Sequence, residues 1–189
     1  MEPIKISEIK SISDYELERS GLRPRIMALK DRRRLRAGEN MTFLFENRAT
    51  VLYQIQEMMR IERIVKLEDI AHEADTYNEL IPGPNELSAS FLIEYETPEL
   101  RSVWLKELLG LEDHVWLDIG STPPVPGSFD TRQISTDRLS SVQYVKFKLS
   151  PEQAAQFPTG ATLRIDHPKY RAETRLTPEQ LAELAQDLR

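Results

Sequence analysis

The chain of 189 residues contains no cysteine. This absence excludes disulfide bonds, thiol nucleophiles, and zinc or iron–sulfur centres that are held by cysteine. Histidine is scarce as well, with three residues in the whole sequence, which disfavours a tight site built from soft metal ligands. We therefore expect neither a bound transition metal nor a cofactor.

Long hydrophobic runs are also missing. No stretch approaches the roughly 20 apolar residues that a membrane-spanning helix needs. The first ten residues, MEPIKISEIK, lack the apolar core of a secretory signal. The sequence therefore predicts a cytoplasmic protein without a membrane partner.

The short motifs that mark common enzyme classes are absent. The sequence has no glycine-rich phosphate loop, no Gly-x-Ser-x-Gly elbow and no His-Glu-x-x-His pair. It also lacks the Glu-x-x-His pairs from which four-helix di-iron centres are built. No residue can be assigned a catalytic role from a motif.

What is present is the composition of a folded globular protein. Hydrophobic residues make up 40% of the chain and charged residues 30%. A chain of this length can bury a core without disulfide bonds, and it usually forms one domain. We therefore predict a single domain over residues 1–189.

Charge is distributed unevenly along the chain, whose net charge is −6. Residues 19–36 contain eight lysines or arginines and one acid, whereas residues 66–99 contain nine acids and one lysine. The basic segment has no interleaved aromatic residues, so solvated helix faces or an intramolecular match explain it better than nucleic-acid binding. We do not expect a nucleic-acid partner.

The order of predicted elements sets the expected fold class. Helices interrupted near Gly21 and Pro24, and again near residue 65, dominate the first half of the chain. Alternating apolar residues in the second half predict strands that pair by hairpins, with capped helix starts at Ser150 and Thr177. This order predicts an α+β fold in which helices pack on a mostly antiparallel sheet.

A polar corner is the first candidate site. Glu46, Asn47 and Arg48 lie where a strand leads into a helix, and Tyr77-Asn78-Glu79 ends the following helix. If the two helices pack antiparallel, these segments meet. Free backbone N–H groups and Arg48 at the helix start would suit an anionic or zwitterionic group. Structural hydrogen bonding at the same corner remains the alternative.

Two charged residues fall within the apolar arc of the helix predicted over residues 47–65. A helical projection places Arg48 and Glu62 there, so each is predicted to be buried and to need a partner from another element. We include Glu62 with the corner as a candidate ligand-binding residue. A structural ion pair is the competing interpretation.

A polar stripe on the next predicted helix offers a second kind of chemistry. Its members lie four, three and four residues apart: Glu68, His72, Asp75 and Glu79. This spacing lets carboxylate and imidazole groups converge on a metal or a shared proton, and it is equally typical of a solvated helix face. An enzyme would use Arg48 to orient an anionic substrate, with Glu62, or His72 together with Asp75, transferring the proton.

Several long segments resemble those of an uncharacterised bacterial family catalogued as a domain of unknown function, DUF family 3501. They are LFENRATVLYQIQEMMRIERI, DTYNELIPGPNELSASFLIE, LLGLEDHVWLDIG, SSVQYVKF and IDHPKY. The resemblance spans roughly residues 8–189 and brings no agreed catalytic residues.

The resemblance has one implication for function. Members of that family are often encoded beside rubrerythrin-like proteins and iron–sulfur oxidoreductase subunits, which implies a supporting role in redox or oxidative-stress metabolism. Without cysteine, such a role would be exerted through a protein partner or a bound small molecule. A non-enzymatic accessory protein is the leading hypothesis, an enzyme is the alternative, and a homo-oligomer stays open.

Overall fold

A computed structural model describes residues 1–188. Eight strands form the centre of the molecule. They are β1 (Arg34–Arg36), β2 (Met41–Glu46), β3 (Glu86–Ile93), β4 (Val115–Ile119), β5 (Val125–Phe129), β6 (Val142–Lys148), β7 (Ala161–His167) and β8 (Tyr170–Arg175). Within the same residues, six α-helices accompany them: α1 (Ile12–Arg32), α2 (Arg48–Glu62), α3 (Leu67–Asn78), α4 (Pro98–Glu107), α5 (Pro151–Gln156) and α6 (Pro178–Leu184).

The strands make one antiparallel sheet in the order β1-β2-β3-β6-β5-β4-β7-β8. The sheet is barrel-like and nearly closed. Its two edge strands are linked by side chains: Thr174 Oγ1 donates to the Arg36 carbonyl and the Tyr170 hydroxyl to the Ala37 carbonyl, both at 2.7 Å. Gly38 lies beside this seam at φ +71°, and a Cβ there would come within 2.4 Å of the Tyr170 hydroxyl. Glycine is therefore required where the edges meet.

The predicted fold class is wrong. The prediction was an α+β fold with helices packed on a mostly antiparallel sheet, whereas the sheet itself dominates and curls around its own core. Strand β1 lies within the basic segment, where no strand was predicted. Closure depends on contacts between residues far apart in the chain, which local periodicity does not reveal. The single domain over residues 1–189 stays a prediction.

The interior of the barrel is apolar. The rings of Phe43 and Phe91, opposite each other on β2 and β3, stack with centroids 4.2 Å apart. Helix α6 and the residues after it contribute Leu181, Leu184 and Leu188 to the same core. Alternate residues of the strands supply the rest, including Met41, Phe45, Leu87, Ala89, Val115, Leu117, Val145, Phe147, Leu163 and Ile165.

Helices α1, α2 and α3 cover part of the outer face of the sheet. A second apolar cluster forms between α2, α3 and the N-terminal segment, and Tyr144 of β6 packs against it. All six residues of β2 are buried because one face points into the barrel and the other lies under the helices. Within residues 1–188, no helix is both long enough and apolar enough to cross a membrane.

Helix boundaries differ from the sequence prediction at two places. Helix α1 runs without interruption through Gly21 and Pro24, which are both exposed, so the predicted break is wrong. Helix α2 ends at Glu62 because Arg63 adopts a left-handed conformation, with φ 54°. Asn47 caps the start of α2, accepting from the backbone N–H groups of Ala49 and Thr50.

Part of the basic segment, namely Arg19, Arg32 and Arg33, is matched by acids of the same chain, which lie outside residues 66–99. Arg19 donates to Glu57 of α2 at 2.7 and 2.9 Å. Arg33, whose side chain is fully buried, donates to the Phe45 and Glu46 carbonyls at 2.8 and 3.1 Å. It also pairs with Glu183, at 3.1 Å, and with Asp187. These bonds tie α1 to the sheet and to the C-terminal helix.

Candidate ligand-binding cleft

A cleft of about 660 Å³ separates α3 from the outer face of β3, β5 and β6. We call it the main cleft. Its walls mix aromatic, hydroxyl and charged side chains: Met58, Glu73, Thr76, Tyr77, Glu79, Leu80, Ser88, Ser128, Phe129, Asp130, Arg132, Gln133, Tyr144 and Lys146.

A smaller cavity of about 310 Å³ adjoins the main cleft and shares Tyr77, Leu80 and Tyr144 with it. This deep extension lies between the helices and the outer face of β2, β3 and β6. Its other walls are Lys30, Leu44, Glu46, Val51, Gln54, Ser90, Leu92 and Val142. The two shared tyrosines therefore stand where the main cleft meets the deep extension.

Glu46 is a buried carboxylate on the wall of the deep extension. Only 7% of the residue is exposed. One carboxylate oxygen accepts from the hydroxyl of Thr50 and the other from that of Ser90, at 2.7 Å. The helix start and the neighbouring strand thus hold the carboxylate in place, which meets the requirement that buried charge be hydrogen-bonded.

Lys30 is the cation of the deep extension. Its ammonium lies 5.3 Å from the centroid of the Tyr53 ring, and it forms no ion pair or side-chain hydrogen bond within residues 1–188. Burial lowers the pKa of Lys30, and the nearby charge of Glu46 opposes that shift. The three N–H donors of Lys30 therefore remain available to a ligand.

The tyrosines between the two cavities are half-buried. Burial is the main cause that raises the pKa of Tyr77 and that of Tyr144, and each also feels nearby negative charge. Both phenols therefore stay protonated at neutral pH and can donate a hydrogen bond as well as accept one.

Charged pairs surround the outer part of the main cleft. Arg132 donates to Asp130 at 2.8 Å and also pairs with Glu79 at the end of α3. The guanidinium of Arg132 is the main cause that lowers the pKa of Asp130. On the sheet, Lys146 pairs with Glu86 at 3.1 Å. These charges satisfy one another, in contrast to Lys30.

The structure brings part of the predicted polar corner to the cleft. Glu46, Tyr77 and Glu79 all line one of the two cavities. Asn47 instead serves as the cap of α2. Asn78 exchanges two hydrogen bonds with the backbone of Ile4, at 2.8 and 3.0 Å, and fastens the N-terminal segment to α3.

Arg48 and Glu62 do not lie in the cleft. Arg48 is half-buried and donates to Glu8, at 2.6 Å, and to the carbonyl of Glu2. Glu62, predicted to be buried, is exposed because α2 ends there, beyond the packed part of the helix. The two residues stand at opposite ends of α2, roughly 20 Å apart at 1.5 Å per residue.

The predicted acidic stripe faces solvent. Glu68, His72, Asp75 and Glu79 are all exposed. Within residues 1–188, no group of three or more metal-ligating side chains is arranged to hold an ion. The enzyme alternative required Arg48 to act with Glu62, or with His72 and Asp75. Arg48 already pairs with Glu8. The main cleft and the deep extension are lined by none of the residues that this alternative needs, which are Arg48, Glu62, His72 and Asp75.

Sequence reasoning missed the residues that give the deep extension its chemistry. Lys30 belongs to a run of basic residues whose other members are mostly exposed, so nothing in its neighbourhood distinguishes it. Tyr144 and Ser90 occupy outward positions on strands, where polar residues usually face water. Their significance becomes visible only once helices are known to cover this face of the sheet.

Known proteins place the chain in a family. The protein is a barrel-like antiparallel sheet that helices cover in part, with a cleft between the helices and the sheet. Residues 3–188 match the family described as protein of unknown function, DUF3501, and the chain belongs to this family. The prediction of the family is thereby confirmed, whereas the gene neighbourhood is not addressed by this match.

A crystal structure at 1.90 Å resolution of a novel protein of unknown function from Burkholderia pseudomallei K96243 is similar throughout. The two sequences are 30% identical, the similarity covers 100% of each chain, and the TM-score is 0.93. No curated protein matches the sequence.

Replacing Arg48 by methionine is expected to lower the urea midpoint of unfolding only slightly. Its ion pair with Glu8 is about one third exposed on both sides, at 33% and 36%, and such pairs add little to stability. Urea titration of Arg48→Met and Glu8→Gln checks this. A large loss of stability in either variant would show that the polar corner carries more of the fold than its exposure indicates.

Proposed function

We propose that this protein is a non-enzymatic accessory protein that binds a small anionic or zwitterionic molecule in the deep extension and the main cleft. The observation that carries the proposal is Lys30. It is a half-buried cation without an acidic partner within residues 1–188, in a cavity whose only acidic side chain is committed to two hydroxyls.

The size and lining of the two cavities fit this role. Small-molecule sites usually enclose about 300–1,000 Å³, are largely apolar and contain a few converging polar groups. The deep extension and the main cleft measure about 310 and 660 Å³. Apolar contact comes from Leu44, Val51, Leu80 and Leu92. Lys30 and the two tyrosines provide the polar groups that orient a ligand.

The chemistry of the deep extension selects the class of ligand. A carboxylate of the ligand would pair with Lys30 and accept from the hydroxyl of Tyr144. An amino group on the same ligand would find the acceptor sites of Glu46 that its two hydroxyl partners leave free, which makes a zwitterion acceptable as well. A ligand that carries only positive charge would meet Lys30 without compensation.

The redox or oxidative-stress setting is part of the proposal, and it rests on the family resemblance alone. In that setting the partners would be rubrerythrin-like or iron–sulfur oxidoreductase proteins, and the bound molecule would be what this cysteine-free chain contributes. The cavity residues argue for binding rather than for a particular pathway.

The test is ligand-observed NMR with a panel of small carboxylates and amino acids. We expect at least one member to bind wild type and Lys66→Met, and to bind Lys30→Met at least tenfold more weakly. Lys66 is a matched control because it is exposed and makes no side-chain bond within residues 1–188. Absence of binding to wild type, or equal binding by Lys30→Met, would contradict the proposal.

The pH dependence of binding gives a second readout. Affinity should fall as the pH rises through the lowered pKa of Lys30, which lies below the ordinary lysine value near about 10.4. The free energy of unfolding should instead rise with pH. Between the lowered pKa of Lys30 in the folded protein and its ordinary pKa in the unfolded chain, the unfolded chain binds more protons, so raising the pH favours the folded state. Urea titrations of wild type and Lys30→Met at several pH values measure this difference.

A further inference from the structure

A second concave site lies between α4 and the loop that joins β5 to β6. It encloses about 500 Å³ and stands beside the main cleft, with which it shares Arg132 and Gln133. We call it the arginine pocket. Its lining residues are Pro98, Arg101, Ser102, Leu105, Arg132, Gln133, Ile134, Ser135, Arg138, Leu139, Ser140 and Ser141.

The charge of this pocket has one sign. Arg101, Arg132 and Arg138 line it, and no aspartate or glutamate does. Arg132 is paired with Asp130 and Glu79, but Arg101 and Arg138 form no ion pair within residues 1–188. A chain whose net charge is −6 thus presents two guanidinium groups without an ion pair at one concavity. The carboxyl of Asp137 lies nearby, and its pKa is lowered first by the Ser135 hydroxyl and also by the charge of Arg138.

Hydroxyl groups complete the lining. Ser102, Ser135, Ser140 and Ser141 border the pocket alongside the arginines. The Ser135 hydroxyl is already bonded to Asp137, at 2.7 Å, and to the Arg138 carbonyl, at 2.8 Å. Ser140 Oγ accepts from the Val142 N–H at 3.3 Å, which leaves its own proton free to donate. Guanidinium and hydroxyl donors around one space match the acceptors of a tetrahedral oxyanion.

Hydrogen bonds to β6 and α4 hold the backbone of the loop that joins β5 to β6. Gln143, which is fully buried in β6, donates to the Gln133 and Ser140 carbonyls at 3.1 and 2.8 Å. The Leu139 N–H donates to the Leu105 carbonyl at 2.9 Å, which joins the loop to α4. The backbone that carries Arg138 and Ser140 is therefore held in place before a ligand arrives, so only side chains have to be ordered on binding.

We propose that the arginine pocket binds a phosphate-class oxyanion, with Arg101 and Arg138 as its charged ligands. The hydroxyls of Ser102, Ser140 and Ser141 are supporting donors. The oxyanion is either free phosphate or the phosphoryl group of a small monoester. The pocket shares Arg132 and Gln133 with the main cleft, but Arg101 and Arg138 line neither that cleft nor the deep extension, so the proposal does not depend on the function argued above.

The test is calorimetric titration at constant ionic strength with two probes, inorganic phosphate and glycerol 3-phosphate. The variant is Arg101→Met/Arg138→Met, and the matched control is Arg23→Met/Arg25→Met, which removes the same charge from two exposed arginines on α1. We expect wild type and the control to bind at least one probe, and the pocket variant to bind it at least tenfold more weakly. Tighter binding of glycerol 3-phosphate would assign a monoester, and tighter binding of phosphate the free anion.

Three outcomes would overturn the proposal. They are no binding of either probe to wild type, an equal loss of affinity in the pocket variant and the control, and unchanged binding in the pocket variant. Because Arg101 and Arg138 are exposed, both variants should fold, which far-ultraviolet circular dichroism verifies. The single variant Arg138→Gln provides the same comparison with one charge removed.

Discussion

Replacing Arg33 by methionine is expected to lower the free energy of unfolding by about 3–5 kcal/mol, because the change leaves the buried acid Asp187 without its partner. Arg33 is fully buried, and it holds Glu183, Asp187 and the carbonyls of Phe45 and Glu46 together. Removing the guanidinium would also take one hydrogen-bond donor from each of these carbonyls. Urea denaturation measures the loss.

The neighbouring residue provides the control. Arg32 also pairs with Glu183, at 3.1 Å, but its side chain is 47% exposed. The Arg32→Met variant should therefore lose less than about 1 kcal/mol, as exposed ion pairs do. If both variants lost the same amount, the burial of Arg33 would not be what makes its contacts important.

The Phe91→Ala variant is expected to lose about 3–5 kcal/mol of stability, which is typical for truncating a buried aromatic side chain. Phe91 has no exposed surface, stacks on Phe43 and meets the edge of Phe129 with centroids 6.1 Å apart. The cavity would form inside the barrel, where strands from both halves of the sheet converge and leave little room for collapse.

An exposed apolar residue tests the specificity of that loss. Leu17 on α1 is 82% exposed, so Leu17→Ala should stay within about 0.5 kcal/mol of wild type. Equal losses for Phe91→Ala and Leu17→Ala, measured by the same urea titration, would mean that the interior of the barrel is not the main core.

The sequence predicts local structure better than it predicts the closure of the sheet. Alternation in residues 142–149 and the caps at Ser150 and Thr177 are local signals, and the structure has the corresponding strand and helices. Contact between the edge strands joins Arg36 to Thr174, which are 138 residues apart. No local pattern encodes that distance, and the fold class was missed for this reason.

The sequence likewise revealed the candidate site residues that local signals mark and missed those that depend on long-range packing. Glu46 and Tyr77 could be proposed from the sequence because each lies at an element boundary where helices were expected to meet. Glu62 was misplaced because a helical projection treats the helix as continuing, whereas α2 ends at that residue. Lys30 could not be found, since its importance comes from its partial burial beside Tyr53 of α2 and from the lack of an ion pair within residues 1–188.

Native mass spectrometry of freshly purified wild-type protein and the Lys30→Met variant shows whether the cleft holds a ligand that depends on Lys30. The account predicts that wild type and the Lys66→Met control retain one small molecule per chain, and that Lys30→Met does not. Wild-type protein without a bound molecule, or a bound molecule retained equally by Lys30→Met, would contradict the claim that the cleft is a ligand site organised around Lys30.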